Sequence, residues 1–386
     1  MEGLQMMIPV VFSVDKNYAM PLRAAIGSLL ENKFPETEYD IYVLHSDDYA
    51  SEDRICLRRI AEKNDGVKIN FFPMGNAYKN AVISFHTMTK ATFYRLSIHR
   101  LLPDSYTHCI YCDSDTIIHC DLSSLFRIDL QEYYLAGVVD PVIRYSGKRQ
   151  MFEDFDGYIN AGVLVINLKK WRETMIEDLF GKYIGCKLKY HDQDILNLVC
   201  KDRILLLEND KYVVSGVLNK RKYKEVKSVI IHYCGLIKPW DIAVLNPFFT
   251  LWVQYAERAS IDVRGLALEE KRRNLDGLIE RKKMQSVIVW GMSASTLDLC
   301  YFLEELGLEV LAIGDNDTEK VRQGSIYYKV IDAEDILVGR EDIYYIVNAV
   351  NCYRQIKEQL IEKGVSEEKI MSWQELKQST FGAGKG

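Results

Sequence analysis

Residues 10–44 read "VVFSVDKNYAMPLRAAIGSLLENKFPETEYDIYVL", and the order of patterns within them decides the fold class. Residues 10–14 are a short, continuous apolar run, as in a strand covered on both faces of a parallel sheet. Residues 21–31 then place Leu22, Ile26, Leu29 and Leu30 at helical spacing. Residues 40–44 are a second apolar run. Strand, helix and strand in this order make one βαβ unit. Such units build an open α/β sheet with ligands at the carboxyl ends of its strands.

Outward from this unit the pattern repeats. A helix is expected over 52–63, a strand over 68–72, a helix over 92–101 closed by Pro103, and a fourth strand over 108–113. Strand patterns at 134–139 and 162–167 carry the alternation on to about residue 259. Charge then takes over in "LEEKRRNLDGLIERKK", residues 268–283, which reads as a linking helix. A fresh strand at 286–290 opens a smaller Rossmann-like α/β unit. Its further strands are expected at 309–313, 343–347 and 369–373, and its helices at 297–306 and 353–364. The tail "STFGAGKG" should be loose. The expected division is therefore 1–258, a charged helical linker 259–284, and 285–386. Each outer segment carries its own apolar pattern, so each is expected to bury its own core, and a fragment ending near residue 259 to fold alone.

The chain of 386 residues is 48% hydrophobic and 27% charged, ordinary globular material. No apolar run reaches about 18 residues, so no bilayer-spanning helix is expected. The N-terminus lacks a basic region before its first apolar run, which argues against a signal peptide. Nine cysteines, an odd count without framework spacing, fit a reducing cytosol. A formal net charge of −6 gives no support to nucleic-acid binding. Basic clusters at 219–227 and 271–283 read as a solvated loop and a solvated helix face, with contact to an acidic surface or membrane as the alternative.

Chemistry is signalled by "THCIYCDSDTIIH", residues 107–119, where an apolar strand ends in Asp113 and Asp115. Residues i and i+2 of a strand share a face, so the two carboxylates can point the same way. They would repel unless a cation sat between them, and oxygen ligation suits Mn²⁺ or Mg²⁺. A bare D-x-D is equally a turn with two solvated acids, and the chain has three others, at 154/156, 192/194 and 315/317. Zinc is disfavoured: Cys109 and Cys112, three apart on a strand, face opposite sides, and read instead as small core residues. In "IIHYCGLIKPW", residues 230–240, His232 ends an apolar run and offers a third ligand. There Gly235 permits close backbone approach and Lys238 supplies a point charge.

Six segments occur in order: "FSVDKNYAMPLRAAIGSLL", "YRLSI", "YCDSDTII", "YINAGVLVINLKKW", "HDQDILN" and "HYCGLIKPW". Together they resemble glycosyltransferase family 8, retaining and metal-dependent enzymes with the GT-A fold, over residues 8–258. The resemblance implies that Val14, Asp15, Asn17 and Tyr18 hold a nucleotide and that Arg95 reaches the donor. It implies that Asp113, Asp115 and His232 hold Mn²⁺, with Ser114 at the donor between the two acids. Gly235 and Lys238 would meet the diphosphate, and Asn160, Ala161 and Gly162 would line the donor sugar with Asp140 nearby. Asp192 and Gln193 would lie beside the anomeric carbon, either of them a candidate nucleophile. Asp192 also has a bland role open to it, as a helix N-cap with Asp194 favouring the helix dipole.

The expected activity is thus transfer of a hexose from UDP-glucose or UDP-galactose to a glycan acceptor on a lipid or protein, in surface polysaccharide biosynthesis. The enzyme would be cytoplasmic and peripheral at the inner membrane face. Lys238 and the cation would stabilise charge on the departing diphosphate. Two rivals stand beside it: a binding or scaffolding protein without turnover, and a nicotinamide enzyme using the C-terminal unit. In that unit Asp315 lies 24 residues past Gly291, about where an acid grips a ribose, but only the first glycine of G-x-G-x-x-G is present. A structural or partner-binding role is expected of it.

Overall fold

In the computed structural model of the chain, the structure describes residues 6–84, 88–140, 143, 157–208, 211–215, 229–235, 237–243, 247–325 and 327–381. The basic cluster at 219–227 and the acids at 154/156 lie outside them. The strands are β1 (Met6–Val14), β2 (Thr37–His45), β3 (Val67–Pro73), β4 (Cys109–Asp113), β5 (Thr116–Ile118), β6 (Leu135–Val139), β7 (Ile159–Ile166), β8 (Ile204–Leu207), β9 (Val213–Ser215) and β10 (Ile230–His232). The C-terminal unit adds β11 (Ser286–Trp290), β12 (Glu309–Gly314), β13 (Val330–Ile331), β14 (Ile343–Val347) and β15 (Ile370–Ser372).

The main sheet has the order β3-β2-β1-β4-β7-β6-β8. β1, β2, β3 and β4 run parallel, β7 is antiparallel to both β4 and β6, and β8 is parallel to β6. The chain winds outward through β2 and β3, then returns to place β4 on the other side of β1. The crevice between the carboxyl ends of β1 and β4 is the switch point where such sheets bind ligands. Both faces are covered, which is why β1 reads as an unbroken apolar run: Val10, Phe12 and Val14 join one core cluster, Val11 the other. The helix Ala19–Glu31 packs Leu22, Ile26, Leu29 and Leu30 into the first.

Two local expectations are corrected. Residues 90–97 form a 3-10 helix, followed by a single α-turn at Ile98–Leu101. Asp115 lies beyond the strand: β4 stops at Asp113, the chain turns, and β5 leaves the main sheet for a three-stranded sheet, β5-β10-β9. The two acids therefore converge through a corner between sheets, not through strand alternation.

The C-terminal unit is a parallel sheet, β13-β12-β11-β14-β15. On one face of β11, Ile288 and Trp290 join Tyr345 and Leu360 in a core of the unit's own. On the other, Val287 and Val289 belong to a cluster that also holds Leu297, Phe302 and Leu303 together with Ile231, Tyr233, Phe248 and Trp252. A cavity of about 40 Å³ is lined jointly by Ile237, Ile242, Leu275, Phe302, Trp373 and Leu376. The expectation of two separate cores is thereby corrected. Alternation along β11 gives one face to each core, and the linking helix Leu268–Lys282 contributes Leu275 to the shared one.

Candidate functional site

The site is built at the corner after β4. β10 pairs antiparallel with β5, with His232 opposite Thr116, which delivers the imidazole beside the turn that carries both acids. His232 Nε2 lies 3.6 Å from Asp113 Oδ2 and 3.3 Å from Asp115 Oδ1. One ligand atom from each of the three residues falls within 4.8 Å of the others. Two carboxylates and one imidazole at such separations fit a divalent cation with open positions for substrate oxygens. The approach requires Gly162 on β7: a Cβ there would stand 2.1 Å from His232 Cε1. Gly162 therefore makes room for the His232 imidazole, a role its place in "NAG" did not announce.

The two carboxylates are held from behind. Asp113 Oδ1 accepts from Arg95 Nη2 and from the Tyr111 hydroxyl, both at 2.7 Å, while Oδ2 faces His232. Lys238 Nζ donates to Asp115 Oδ2 and to the Tyr233 carbonyl, both at 2.6 Å. It lies 5.9 Å from the ring centres of Tyr18 and Trp240. Burial alone would raise the Asp115 carboxyl. Lys238 first, and His232 next, outweigh burial and hold it well below the usual carboxylate range. Burial likewise works to lower the Lys238 amine, but Asp115 pulls it above its ordinary value. Lys238 therefore keeps its charge across the working range.

Arg95, 4% exposed, spans the floor. Besides Asp113 it donates to the Ala161 carbonyl, packs 4.4 Å over the Tyr111 ring, and sets Nε 2.9 Å from Asp192 Oδ2. That Nε–H is aimed at the Thr92 carbonyl, 3.1 Å away, so its hold on Asp192 is electrostatic. Thr92 donates its hydroxyl to Asp192 Oδ1. Burial raises the Asp192 carboxyl to about 6, against the opposing pull of Arg95 and the Thr92 hydrogen bond. Asp192 sits in the first turn of the helix His191–Val199 and does not cap it, the N-cap being Tyr190. Asp194 instead accepts from the Tyr190 backbone N–H at 2.9 Å and the Tyr158 hydroxyl at 2.6 Å.

This helix is bolted to β7. Gln193 Oε1 accepts from Ala161 N at 3.0 Å, and Gln193 Nε2 and Asn160 Nδ2 both reach Asp140 Oδ2 at 3.2 Å. Asn160 Oδ1 accepts from Gly162 N at 2.9 Å. On the β1 side, Asp15 Oδ1 accepts from the backbone N–H groups of Asn17 and Tyr18 at 2.8 and 3.1 Å, and Oδ2 from Thr89 Oγ1 at 2.6 Å. Asp15 thus orders the turn that presents Asn17, which is exposed, and Tyr18 after the buried Val14. Ser114 Oγ donates to the Ser13 carbonyl at 2.7 Å, tying the acid turn to β1. Gly235 adopts φ +101, three residues before Lys238. The implied residues so fall around one crevice. Those the sequence did not single out are Tyr111, Thr92, Thr89 and Asn197. A signal existed for two of them: Tyr111 is i−2 to Asp113 on its strand face, and Asn197 is i+4 to Gln193 on its helix face.

In the C-terminal unit, Asp315 Oδ2 accepts from Met292 N at 2.6 Å and Oδ1 from Asp317 N at 2.8 Å, with Lys320 Nζ 3.3 Å away. One oxygen serves the turn after β11 and the other the turn after β12. All nine cysteines are free thiols, with Cys109 and Cys112 buried in the core. Among the described residues no helix is long and apolar enough to cross a membrane.

A parallel-rich sheet with its crevice at the switch point, and an Asp-Asp-His cluster at the corner beside it, match the arrangement of glycosyltransferases of the GT-A fold. Residues 9–243 match the model of Glycosyl transferase family 8, and the chain belongs to that family. General stress protein A of Bacillus subtilis is 31% identical over 265 residues, 64% of this chain and 92% of that protein. A lipopolysaccharide 1,2-glucosyltransferase of Escherichia coli is 28% identical over 249 residues, 60% of this chain and 72% of that protein. Among solved structures, the galactosyltransferase LgtC in complex with donor and acceptor sugar analogs is similar at 25% identity. Its TM-score is 0.54, and the match covers 66% of this chain and 95% of LgtC. Residues 283–371 match a separate model, C2185-like, N-terminal.

Proposed function

We propose that this glycosyltransferase is retaining and metal-dependent, moving glucose or galactose from a UDP-sugar to a glycan acceptor on a lipid or protein, with Mn²⁺ as its cation. The observation that carries the reading is the convergence of Asp113, Asp115 and His232 within 4.8 Å, backed by Arg95 and Lys238. The similarity to a lipopolysaccharide glucosyltransferase and to LgtC supports the donor and acceptor classes. Work at the inner membrane face without a spanning helix follows from such an acceptor. The division at 258 and 285 belongs to the same reading, with the transferase motifs all before residue 241.

When bound, the cation would be held by Asp113, Asp115 and His232 and would neutralise the donor diphosphate. Lys238 adds a fixed positive charge where negative charge develops on the leaving group. Val14, Asp15, Asn17 and Tyr18 form the wall beside β1 against which the nucleotide is placed. Asn160, Ala161 and Gly162, with Asp140, form the opposite wall for the sugar. Gln193 is locked by bonds at both ends of its amide, which suits a group that orients the sugar. Asp192, buried and charge-balanced by Arg95, is placed for the anionic role. It serves either as nucleophile in a double displacement or as stabiliser of positive charge at the anomeric carbon in attack from the leaving-group face.

Titration calorimetry with UDP, with and without Mn²⁺, tests the reading, and a panel of UDP-sugars assayed for slow hydrolysis then names the hexose. UDP binding that ignores Mn²⁺ and chelator would sink it.

A further inference from the structure

The loop after β10 carries His232, Gly235 and Lys238, and the C-terminal unit holds it at two points. At Gly235, where φ is +101, an added Cβ would stand 1.8 Å from Asp298 Oδ2 and 2.8 Å from Asp298 Cγ. Asp298 lies on the helix Ala294–Glu305 and is 5% exposed. A carboxylate from beyond residue 285 is therefore packed directly against the backbone of the transferase loop. At Asp241, Oδ2 accepts from Lys377 Nζ at 3.0 Å. Between these ties, Ile237 and Ile242 share a cavity wall with Phe302, Trp373 and Leu376. Lys238 sits between the two tied positions, 2.6 Å from Asp115.

A left-handed backbone is open to glycine at little steric cost, but glycine also leaves the chain free to move out of it. Something must over-determine the turn if His232 and Lys238 are to stay in register with the acids. The Asp298 carboxylate is placed where only glycine leaves it space. We infer that Asp298 is a positioning residue for the transfer reaction, fixing the backbone at Gly235 so that His232 and Lys238 meet Asp115. The C-terminal unit is thereby part of the active site. The inference rests on the roles given to His232 and Lys238 above.

The test uses the full-length protein with Asp298→Ala, Asp298→Asn and Gly235→Ala, and Glu358→Ala as a control at an exposed position of the helix Tyr353–Glu362, which packs into the C-terminal unit's own core. Two quantities are read: Mn²⁺-dependent UDP-sugar hydrolysis, and hydrogen exchange of the 229–243 backbone. Asp298→Ala is expected to lower kcat at least tenfold with KM within threefold. Exchange over 229–243 should speed up at least tenfold while β1 and β2 stay at wild-type rates. Asp298→Asn, which keeps an oxygen at the contact, should recover kcat to within threefold, and Gly235→Ala should repeat the loss with the C-terminal unit intact. Glu358→Ala should leave kcat unchanged. Wild-type kcat and exchange in Asp298→Ala would overturn the inference. So would a global rise in exchange with unchanged kcat per folded molecule, since that describes a merely structural residue. A wild-type enzyme inert toward every UDP-sugar would remove the functional reading, and the exchange data would still decide whether Asp298 orders the loop.

Discussion

Asp115 faces His232 with one oxygen and Lys238 with the other. Asp115→Ala should abolish Mn²⁺-dependent UDP binding in calorimetry and leave an unpaired Lys238; retained affinity in a folded variant would exclude the metal role. Lys238→Ala should lower kcat by about 100-fold, the scale of losing one charge-stabilising group, with a smaller change in KM. An increase in KM alone would make Lys238 a binding group. Gly162→Ala should push the imidazole of His232 off the acids and weaken Mn²⁺ affinity at least tenfold while UDP alone binds as before. Asp192 supplies a pH prediction. Its carboxyl is raised to about 6, so it is ionised above that value and takes up a proton as pH falls through it. At saturating Mn²⁺, kcat should be half-maximal near pH 6 and drop about tenfold per unit below; a limb appearing only near pH 4 would mean that Asp192 does not gate turnover. These side chains were legible as candidates because the six ordered segments name them. The support Thr92 was not, because its partner Asp192 lies 100 residues away and no turn pattern marks the contact.

At the scale of elements, the site depends on two joints. One is the turn at 114–115, where the chain passes from the seven-stranded sheet to the three-stranded one and β10 returns His232 beside it. The expected strand ended correctly at Asp113, but the reason offered for convergence, alternation, is not the one that operates. β5 is three residues long, too short for periodicity to announce it, and its partner lies more than a hundred residues away. The other joint is the helix His191–Val199 on β7. Asn197 accepts from Ile159 N at 2.8 Å and donates to Ile159 O at 2.9 Å, replacing a ladder partner with a side-chain amide. Asn197→Ala leaves both backbone groups unsatisfied in a buried position and should cost about 2 kcal/mol, measured as a lower urea midpoint. It should also loosen Gln193 from Ala161 and lower kcat.

At the scale of the whole molecule, the C-terminal unit changes what a truncation should do. Composition and charge divide the chain at residues 259–284, and that division suggested a free-standing N-terminal half. The shared cluster and the cavity lined from both sides bring Ile237 and Ile242 of the transferase loop against Phe302 and Trp373. A fragment ending at residue 259 uncovers these side chains, each contributing about 1.5–3 kcal/mol when fully buried, and frees Asp241 from Lys377. It is expected to aggregate or to melt at least 10 °C lower, and to lose UDP-sugar hydrolysis; full activity in a soluble 1–259 fragment would refute the coupling. By itself the sequence determined the α/β class, the alternation of the first four strands, the family and the choice of Asp113, Asp115 and His232 as a candidate cluster. Each of these is written in local periodicity or in short ordered segments, and neither depends on knowing what a segment packs against. Tertiary structure alone decided that Gly162 clears space for His232, that Arg95 ties Asp113 to Ala161 and Asp192, and that Asp298 stands against Gly235. These are contacts between segments far apart in the chain. Their partners are fixed by how sheets and helices stack, a geometry that leaves no mark in the spacing of residues along either segment.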